Sequence, residues 1–275
     1  MKSLKSLAML VGVLALGGGV AADAAEKKPV TPTLFLIGDS TVKNGSGAGA
    51  GGLWGWGQVV DGHFDQKRLR VENRALGGRS SRTFLTEGLW KKVLKDIQPG
   101  DFVLMQFGHN DGGELAKGER PRASLKGNGD ETREVVIEKT GKSETVHSYG
   151  WYLRKYIADA EAKGAKPVVL SPVPRNTWKD AHVSRAANDY GKWAQEAAQQ
   201  ARVPFLDLNE IIAKRYETIG EEVVQRDYFT RKDHTHTTQA GARVNAECVA
   251  EGLRGLQEFP LRDFLKETGA SKPQP

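Results

Sequence analysis

The stretch LFLIGDSTVKNG, residues 34–45, decides the fold of this chain because it joins a strand pattern to a polar loop. A short apolar run that ends at a glycine is typical of a strand buried on both faces of a parallel sheet. Ser40 follows directly after this run, at the edge where such a sheet exposes its ligands. Three roles are open for Ser40: a nucleophile at the end of the sheet, a helix cap, or part of a glycine loop that holds a nucleotide.

Short apolar runs and helical stretches alternate along the rest of the chain. Strands are predicted over residues 33–38, 69–73, 101–108, 166–172 and 203–208. Helices are predicted over residues 56–66, 87–97, 148–163, 183–202 and 239–256. This alternation predicts an α/β fold, a three-layer α/β/α sandwich around a doubly wound, five-stranded parallel sheet.

Two segments interrupt that alternation. Residues 112–147 form a long polar insertion, in which we expect a small hairpin about Gly141. Residues 214–232 are predicted to be irregular. Long loops inside compact domains are usually functional, so the insertion is a candidate for contact with a ligand.

The N-terminus has the pattern of a secretory signal peptide. Lys2 and Lys5 precede an apolar run, and Ala22-Asp23-Ala24 resembles a cleavage site. We therefore expect a signal peptide over residues 1–24, with an uncleaved anchor as the alternative, and a single domain over 25–275 whose core spans about 33–256. The mature protein is expected to be secreted or periplasmic and free of the membrane.

Composition supports an ordinary globular core. The chain has 275 residues, of which 39% are hydrophobic, and its one cysteine, Cys248, excludes an intrachain disulfide. Its net charge is +6, which falls to +5 when residues 1–24 are removed. A mild positive charge favours acidic ligands such as anionic polysaccharide. Scattered basic residues and the predicted export argue against nucleic acid as a partner.

A nucleotide site is the first alternative for the opening stretch. Gly47, Gly49 and Gly52 match the spacing G-x-G-x-x-G, and Glu72 lies 20 residues further on. A dinucleotide fingerprint occupies the turn directly after the first strand and opens a helix. Here the glycines start well beyond Gly38, so a flexible loop is the simpler interpretation.

A metal site is the second alternative. The sequence DHTH, residues 233–236, combines one carboxylate with two imidazoles, and His109 could join them. Zinc hydrolases use such ligands but usually draw them from two or three clusters. The other histidines have no comparable neighbours, so we expect no metal and no cofactor.

A serine hydrolase is the third alternative. A nucleophilic hydroxyl needs a base, a group that orients the base, and donors for the oxyanion. Asp233 and His236 lie three positions apart before the last helix, so a turn there could hold the carboxylate against the imidazole. The order Ser40, Asp233, His236 is one of several known for catalytic triads. The chain has no G-x-S-x-G motif, which argues against the usual α/β-hydrolase.

Four sequence blocks in order carry a family resemblance. They are GDS, NRALGGRSSRTF, GHND and DHTH, at residues 38–40, 73–84, 108–111 and 233–236. This pattern resembles the SGNH, or GDSL-like, hydrolases, which have a flavodoxin-like fold. Longer matches, among them GDSTVKNG, GWGQ, QFGHNDGG, KGAKPVVLSPVPRNTW and DHTHTTQAGA, resemble the rhamnogalacturonan acetylesterases of carbohydrate esterase family 12.

The resemblance implies roles for particular residues. Ser40 would be the nucleophile, His236 the base and Asp233 its orienting carboxylate, with His234 as the alternative base. The backbone N–H groups of Ser40 and Gly78 would form the oxyanion hole.

The side-chain amide of Asn110 would complete the oxyanion hole. Gly77 is the alternative to Gly78, by a shift of one position. Asp39, His109 and Asp111 would support these groups.

The resemblance also implies a substrate, acetylated pectic rhamnogalacturonan or its oligosaccharides. Arg79 would meet a galacturonate carboxylate or else fix its own loop, and Trp178 would contact sugar. Another acetylated polymer, xylan or homogalacturonan, and a non-catalytic carbohydrate-binding protein are the alternatives. The protein is expected to be a monomer.

Overall fold

The computed structural model describes residues 31–185 and 189–267. The predicted signal peptide, residues 1–24, lies outside the described residues. In the described part the strands are β1 (Thr33–Gly38), β2 (Arg70–Asn73), β3 (Phe102–Gln106), β4 (Thr132–Val136), β5 (Ser143–His147), β6 (Lys166–Leu170), β7 (Trp178–Lys179), β8 (His182–Val183), β9 (Phe205–Leu206), β10 (Phe229–Thr230) and β11 (Asp233–Thr237).

Helices fill most of the connections between these strands. They are α1 (Ser81–Thr86), α2 (Leu89–Asp96), α3 (Tyr149–Ala162), α4 (Tyr190–Ala201), α5 (Leu208–Ile219), α6 (Glu221–Val223) and α7 (Gln239–Gly255). Single 3-10 turns lie at Trp56–Gln58, Val60–His63 and Pro260–Phe264, and a π-helical turn lies at Val224–Tyr228. None of the described helices is long and apolar enough to cross a membrane.

The central sheet has five parallel strands in the order β2-β1-β3-β6-β9. Strand order reverses next to β1, which creates the crevice at the carboxyl edge where doubly wound sheets bind ligands. The predicted fold class and the five predicted strands are confirmed. β9 is shorter than its predicted span of residues 203–208.

Alternate residues of the strands face two separate cores. Leu34 and Leu36 of β1 pack with α5 and α7 on one face of the sheet. Phe35 and Ile37 pack with α1 to α4 on the other face. Because both faces are covered by helices, the molecule has the three predicted α/β/α layers.

The structure corrects the predicted helix over residues 56–66, which forms two 3-10 turns instead. A Cβ atom at Gly55 would lie 2.3 Å from the backbone carbon of Val42, and one at Gly57 would lie 2.8 Å from the Val42 oxygen. The backbone of this segment therefore touches the loop that follows β1. Close packing of two backbones decides its conformation.

One further predicted helix starts later than expected, and two helices were not predicted. The helix predicted over residues 183–202 begins only at Tyr190, because Val183 belongs to β8. Helix α5 was missed, and it occupies the start of the segment predicted to be irregular. The side chain of Asp207 accepts a hydrogen bond from the Glu210 N–H, which caps α5 directly after β9. Helix α1 was also missed; it begins with a capping box between Ser80 and Thr83.

The insertion contains the expected hairpin. β4 and β5 pair antiparallel, with Thr132 opposite His147 and Val136 opposite Ser143. Gly141 lies in the connecting turn with a φ of 66°. Arg82 of α1 anchors this hairpin, since its Nε lies 2.7 Å from Oε1 of Glu144.

Candidate active site

Ser40 lies in a tight turn at the carboxyl end of β1. The backbone oxygen of Asp39 accepts hydrogen bonds from the N–H groups of Val42 and Lys43, at 3.2 and 3.0 Å. The carboxylate of Asp39 accepts from the N–H and the hydroxyl of Thr41, at 2.8 and 2.7 Å. These four bonds fix the turn, so that the Ser40 side chain is presented at the edge of the sheet.

A buried chain of side chains supports this turn from below. Gln106, at the end of β3, donates to the Thr41 hydroxyl at 2.6 Å. The indole N–H of Trp56 donates to the Gln106 amide oxygen at 2.8 Å. The GWGQ and QFG blocks of the sequence therefore meet beneath the GDS block.

Gln58 holds the glycine-rich loop in place. Its amide oxygen accepts from the N–H groups of Asn44 and Gly55 at 2.9 and 2.8 Å, and its amide group donates to the Gly47 oxygen at 2.6 Å. The loop leads into a 3-10 turn and opens no α-helix, in contrast to a dinucleotide-binding loop. Asn44, where the loop begins, lines the same cleft as Ser40.

Asp233 and His236 are brought together by a local turn. Oδ1 of Asp233 accepts from the backbone N–H groups of Thr235 and His236 at 2.8 and 2.9 Å, which aims the other oxygen at the ring. Oδ2 lies 2.7 Å from Nδ1 of His236. Partial burial acts to raise the pKa of Asp233, but the hydrogen bonds from His236 and Thr235 outweigh it and lower the pKa.

The other ring nitrogen of His236 is directed at Ser40. Nε2 of His236 lies 2.7 Å from Oγ of Ser40, so the three side chains form one hydrogen-bonded row. His234, the alternative base, is exposed, and its side chain forms no hydrogen bond with the described residues. A hydroxyl, an imidazole and a carboxylate in this order can activate the hydroxyl as a nucleophile.

Unused hydrogen-bond donors lie beside this row. Within the described residues, the backbone N–H groups of Ser40, Gly77 and Gly78 donate to no acceptor. The side-chain amide of Asn110 donates one bond, to the Arg79 oxygen at 2.9 Å, and has a second N–H available. Gly78 has a φ of 75°, a conformation that favours glycine.

Asp111 anchors the loop that carries Asn110. It is completely buried and accepts hydrogen bonds from the N–H and hydroxyl of Ser81 and, at 3.1 Å, from the hydroxyl of Ser124. Burial raises the pKa of Asp111 to about 6, while the bonds from Ser81 and Ser124 act in the opposite direction. His109 is half-buried, and burial lowers its pKa. Asp111 therefore supports the site from behind, while His109 reaches the cleft beside Ser40.

The cleft over Ser40 has a volume of about 400 Å³. We call it the Ser40 cleft. The described residues that line it are Ser40, Asn44, Gly77, Gly78, His109, Asn110, Arg120, Arg122, Arg175, Thr235 and His236. Sequence reasoning missed its three arginines, although Arg120 and Arg122 lie in the insertion that was singled out for ligand contact.

The two predicted substrate contacts lie outside this set of lining residues. Arg79 pairs with Glu87 at 2.8 Å and donates to the Gly77 oxygen at 3.0 Å, so its guanidinium fixes its own loop. Trp178 packs against the core and donates its indole N–H to Asn176 at 2.8 Å. The geometry at Arg79 favours the alternative of a loop-fixing role over substrate contact.

The histidines and carboxylates near Ser40 bear on the alternative of a metal site. Across residues 31–185 and 189–267 no group of three or more His, Cys, Asp or Glu side chains is arranged to hold a metal ion. Asp233 and His236 bond to each other, and His236 faces Ser40. The absence of a metal and of a cofactor stays a prediction.

Comparison with known proteins defines the class that this fold and site belong to. The model of the GDSL-like Lipase/Acylhydrolase family matches residues 36–244. The chain belongs to this family and is an ester hydrolase. The rhamnogalacturonan acetylesterase of Emericella nidulans is 34% identical over 236 residues, which cover 86% of this chain and 90% of that protein.

Two further similarities come from Bacillus subtilis. A probable rhamnogalacturonan acetylesterase, YesY, is 33% identical over 85% of this chain and 98% of its own length. The crystal structure of the YxiM protein superposes with a TM-score of 0.66 at 26% identity and covers 84% of this chain. Only 58% of the YxiM chain is matched, so this chain spans little more than half of that protein. The resemblance to rhamnogalacturonan acetylesterases predicted from the sequence is confirmed.

Proposed function

We propose that this protein is an exported serine esterase that removes acetyl groups from pectic rhamnogalacturonan. The observation that carries the proposal is the row in which His236 lies 2.7 Å from both Ser40 and Asp233. The substrate is inferred from relatives at 34% and 33% identity whose names specify rhamnogalacturonan acetylesterase. Export rests on the N-terminal pattern of the sequence.

The first half of the proposed reaction acylates Ser40. Oγ of Ser40 attacks the acetyl carbonyl carbon while Nε2 of His236 takes the hydroxyl proton. The negative charge that develops on the carbonyl oxygen is accepted by the N–H groups of Ser40 and Gly78 and by the Asn110 amide. His236 then protonates the sugar oxygen, which leaves as a free hydroxyl.

The second half returns the enzyme to its starting state. A water molecule gives its proton to His236 and attacks the acetyl group on Ser40. Collapse of this second intermediate releases acetate and returns the proton to Oγ of Ser40. Asp233 stabilises the imidazolium in both halves and holds Nδ1 as the protonated nitrogen.

The proposal is tested by acetate release from two polymers. Wild-type protein is expected to release acetate faster from acetylated rhamnogalacturonan than from acetylated xylan, and Ser40→Ala is expected to release none above background. A preference for xylan would overturn the substrate and leave the chemistry standing. Equal rates above background for wild type and Ser40→Ala would overturn the proposed nucleophile. Release of no acetate by wild type from either polymer would instead favour a non-catalytic carbohydrate-binding protein.

A further inference from the structure

Two arginines of the insertion lie directly over Gly78. Nη1 of Arg122 donates to the Gly78 oxygen at 3.3 Å. A Cβ atom at Gly78 would lie 2.9 Å from Nη1 of Arg120, so the guanidinium occupies space that only glycine leaves open. Both guanidinium groups therefore stand beside the proposed oxyanion donor.

Neither arginine forms an ion pair in the described part of the chain. No carboxylate lies within ion-pair distance of Arg120 or Arg122, and the described lining of the Ser40 cleft includes no Asp or Glu. Partial burial and the neighbouring charge of Arg120 lower the pKa of Arg122, and the more distant carboxylates of Asp39 and Asp111 offset this only in part. Two adjacent cations without an ion-pair partner make a site that an acidic ligand would complete.

The same two arginines also line a second cavity, which we call the hairpin groove. It has a volume of about 480 Å³ and runs between α1 and the β4–β5 hairpin. Its three carboxylates already have partners: Glu87 pairs with Arg79, Glu119 with Lys139 and Glu144 with Arg82. Among the described residues, Arg120 and Arg122 line both the hairpin groove and the Ser40 cleft and form no ion pair.

We propose that Arg120 and Arg122 form a subsite that binds the carboxylate of a uronate sugar close to the acetyl ester. This inference rests on the proposed function and assigns the recognition of the acidic sugar to these two residues. A planar guanidinium fork matches a carboxylate in two parallel hydrogen bonds. Both arginines line the Ser40 cleft and the hairpin groove. A polymer bound with its ester at Ser40 would therefore extend past the two arginines into the hairpin groove.

The experiment compares two forms of one substrate. Acetylated rhamnogalacturonan oligosaccharides are used with their carboxylates free and after methyl esterification of the carboxyls, and kcat/KM is measured from acetate release. We expect wild type to prefer the charged form. In Arg120→Gln we expect the ratio of kcat/KM for the free-carboxylate form to that for the methyl ester to fall by about fivefold. The fall should come mainly from a higher KM for the free-carboxylate form, in a size usual for a partly exposed ion pair.

Arg120 is the residue to change first because its guanidinium donates no hydrogen bond within the described residues, so folding should not depend on it. Arg133→Gln is the matched control, since Arg133 is an exposed arginine of β4 that lines neither cavity. We expect Arg133→Gln to keep the wild-type preference.

The outcomes separate this inference from the proposed function. Equal kcat/KM for the two forms in wild type, or a full preference retained in Arg120→Gln, would overturn the carboxylate subsite while acetate release still supports the esterase. An equal loss of preference in Arg133→Gln would overturn it as well, because a general loss of positive charge would then explain the effect. Failure of wild type to release acetate from either form would overturn the proposed function itself.

Discussion

Nε2 of His236 lies 2.7 Å from Oγ of Ser40, although 196 positions of the chain separate the two residues. Ser40 is placed by the turn after β1, and His236 by β11, which is held to the glycine-rich loop through Trp54. The N–H of Trp54 donates to the Thr237 oxygen at 2.8 Å, and the Thr237 hydroxyl donates back to the Trp54 oxygen at 3.1 Å. The turn after β1 and strand β11 therefore bring the Ser40 hydroxyl and the His236 ring within the distance needed for proton transfer.

Asp233→Asn is expected to lower kcat by about 10³–10⁴-fold, because the amide cannot orient and stabilise the imidazolium as the carboxylate does. The measurement is hydrolysis of p-nitrophenyl acetate. His234→Ala is the matched control, since His234 is exposed one position away and should keep the wild-type rate. A loss of similar size in His234→Ala, with Asp233→Asn fully active, would contradict the role of Asp233 and would favour His234 as a catalytic residue.

Asn110→Ala is expected to lower kcat by about 10²–10³-fold with little change in KM, because one donor to the developing oxyanion is lost. Asn110→Asp, which keeps the shape but adds negative charge at the same place, should be at least as slow. Because Asn110 also donates to the Arg79 oxygen, the thermal unfolding midpoint of both variants is measured to show that they remain folded. An unchanged kcat in the folded Ala variant would remove Asn110 from the oxyanion hole.

Much of this arrangement could be predicted from local patterns. The GDS turn, the D-x-x-H spacing and the GHND block each follow directly after a strand or precede a helix, and the sheet topology brings such edges together. The arginines of the cleft could not be predicted in the same way. Their position depends on how the insertion folds back over Gly78. Neither hydrophobic periodicity nor a short sequence motif predicts that contact.

Helix α5 shows a second limit of sequence reasoning. It starts at Leu208, immediately after β9, so the apolar residues at the junction were assigned to the strand. The pairing of Arg79 with Glu87 shows a third, because either partner of an ion pair looks like a free charge until the loop conformation is known. Tertiary contacts decided each of these features.

Asp111 should make stability depend on pH. Its pKa is raised by burial from 3.8 to about 6, so the folded state holds the proton more tightly than the unfolded state. Its contribution is therefore present at pH 4 and is lost as pH rises through 6. The free energy of unfolding of wild type minus that of Asp111→Asn should fall by about 2.5 kcal/mol between pH 4 and pH 7.5.

Urea denaturation at the two pH values measures this difference, and other titrating groups cancel because both proteins contain them. A difference that stays constant or grows with pH would show that Asp111 does not titrate as described.

Arg82→Met should destabilise the fold by about 3 kcal/mol, because a buried cation is removed from its fixed partners. Arg82 is 1% exposed, donates to the oxygens of Leu115 and Ala123 at 2.8 Å each, and pairs with Glu144. Urea denaturation measures the loss. Arg226→Gln, at a surface pair with Asp227, is the control and should show no measurable change. Equal stability of Arg82→Met and wild type would mean that the hairpin does not depend on this anchor.

The central claim, that His236 activates Ser40 as a nucleophile, is tested most directly by covalent labelling. The protein is inactivated with an organofluorophosphonate, which reacts with activated serines, and the modified peptide is identified by mass spectrometry. We predict a single adduct on Ser40 that accompanies complete loss of p-nitrophenyl acetate hydrolysis. An adduct on another residue at full inactivation, or full activity with Ser40 modified, would contradict the account.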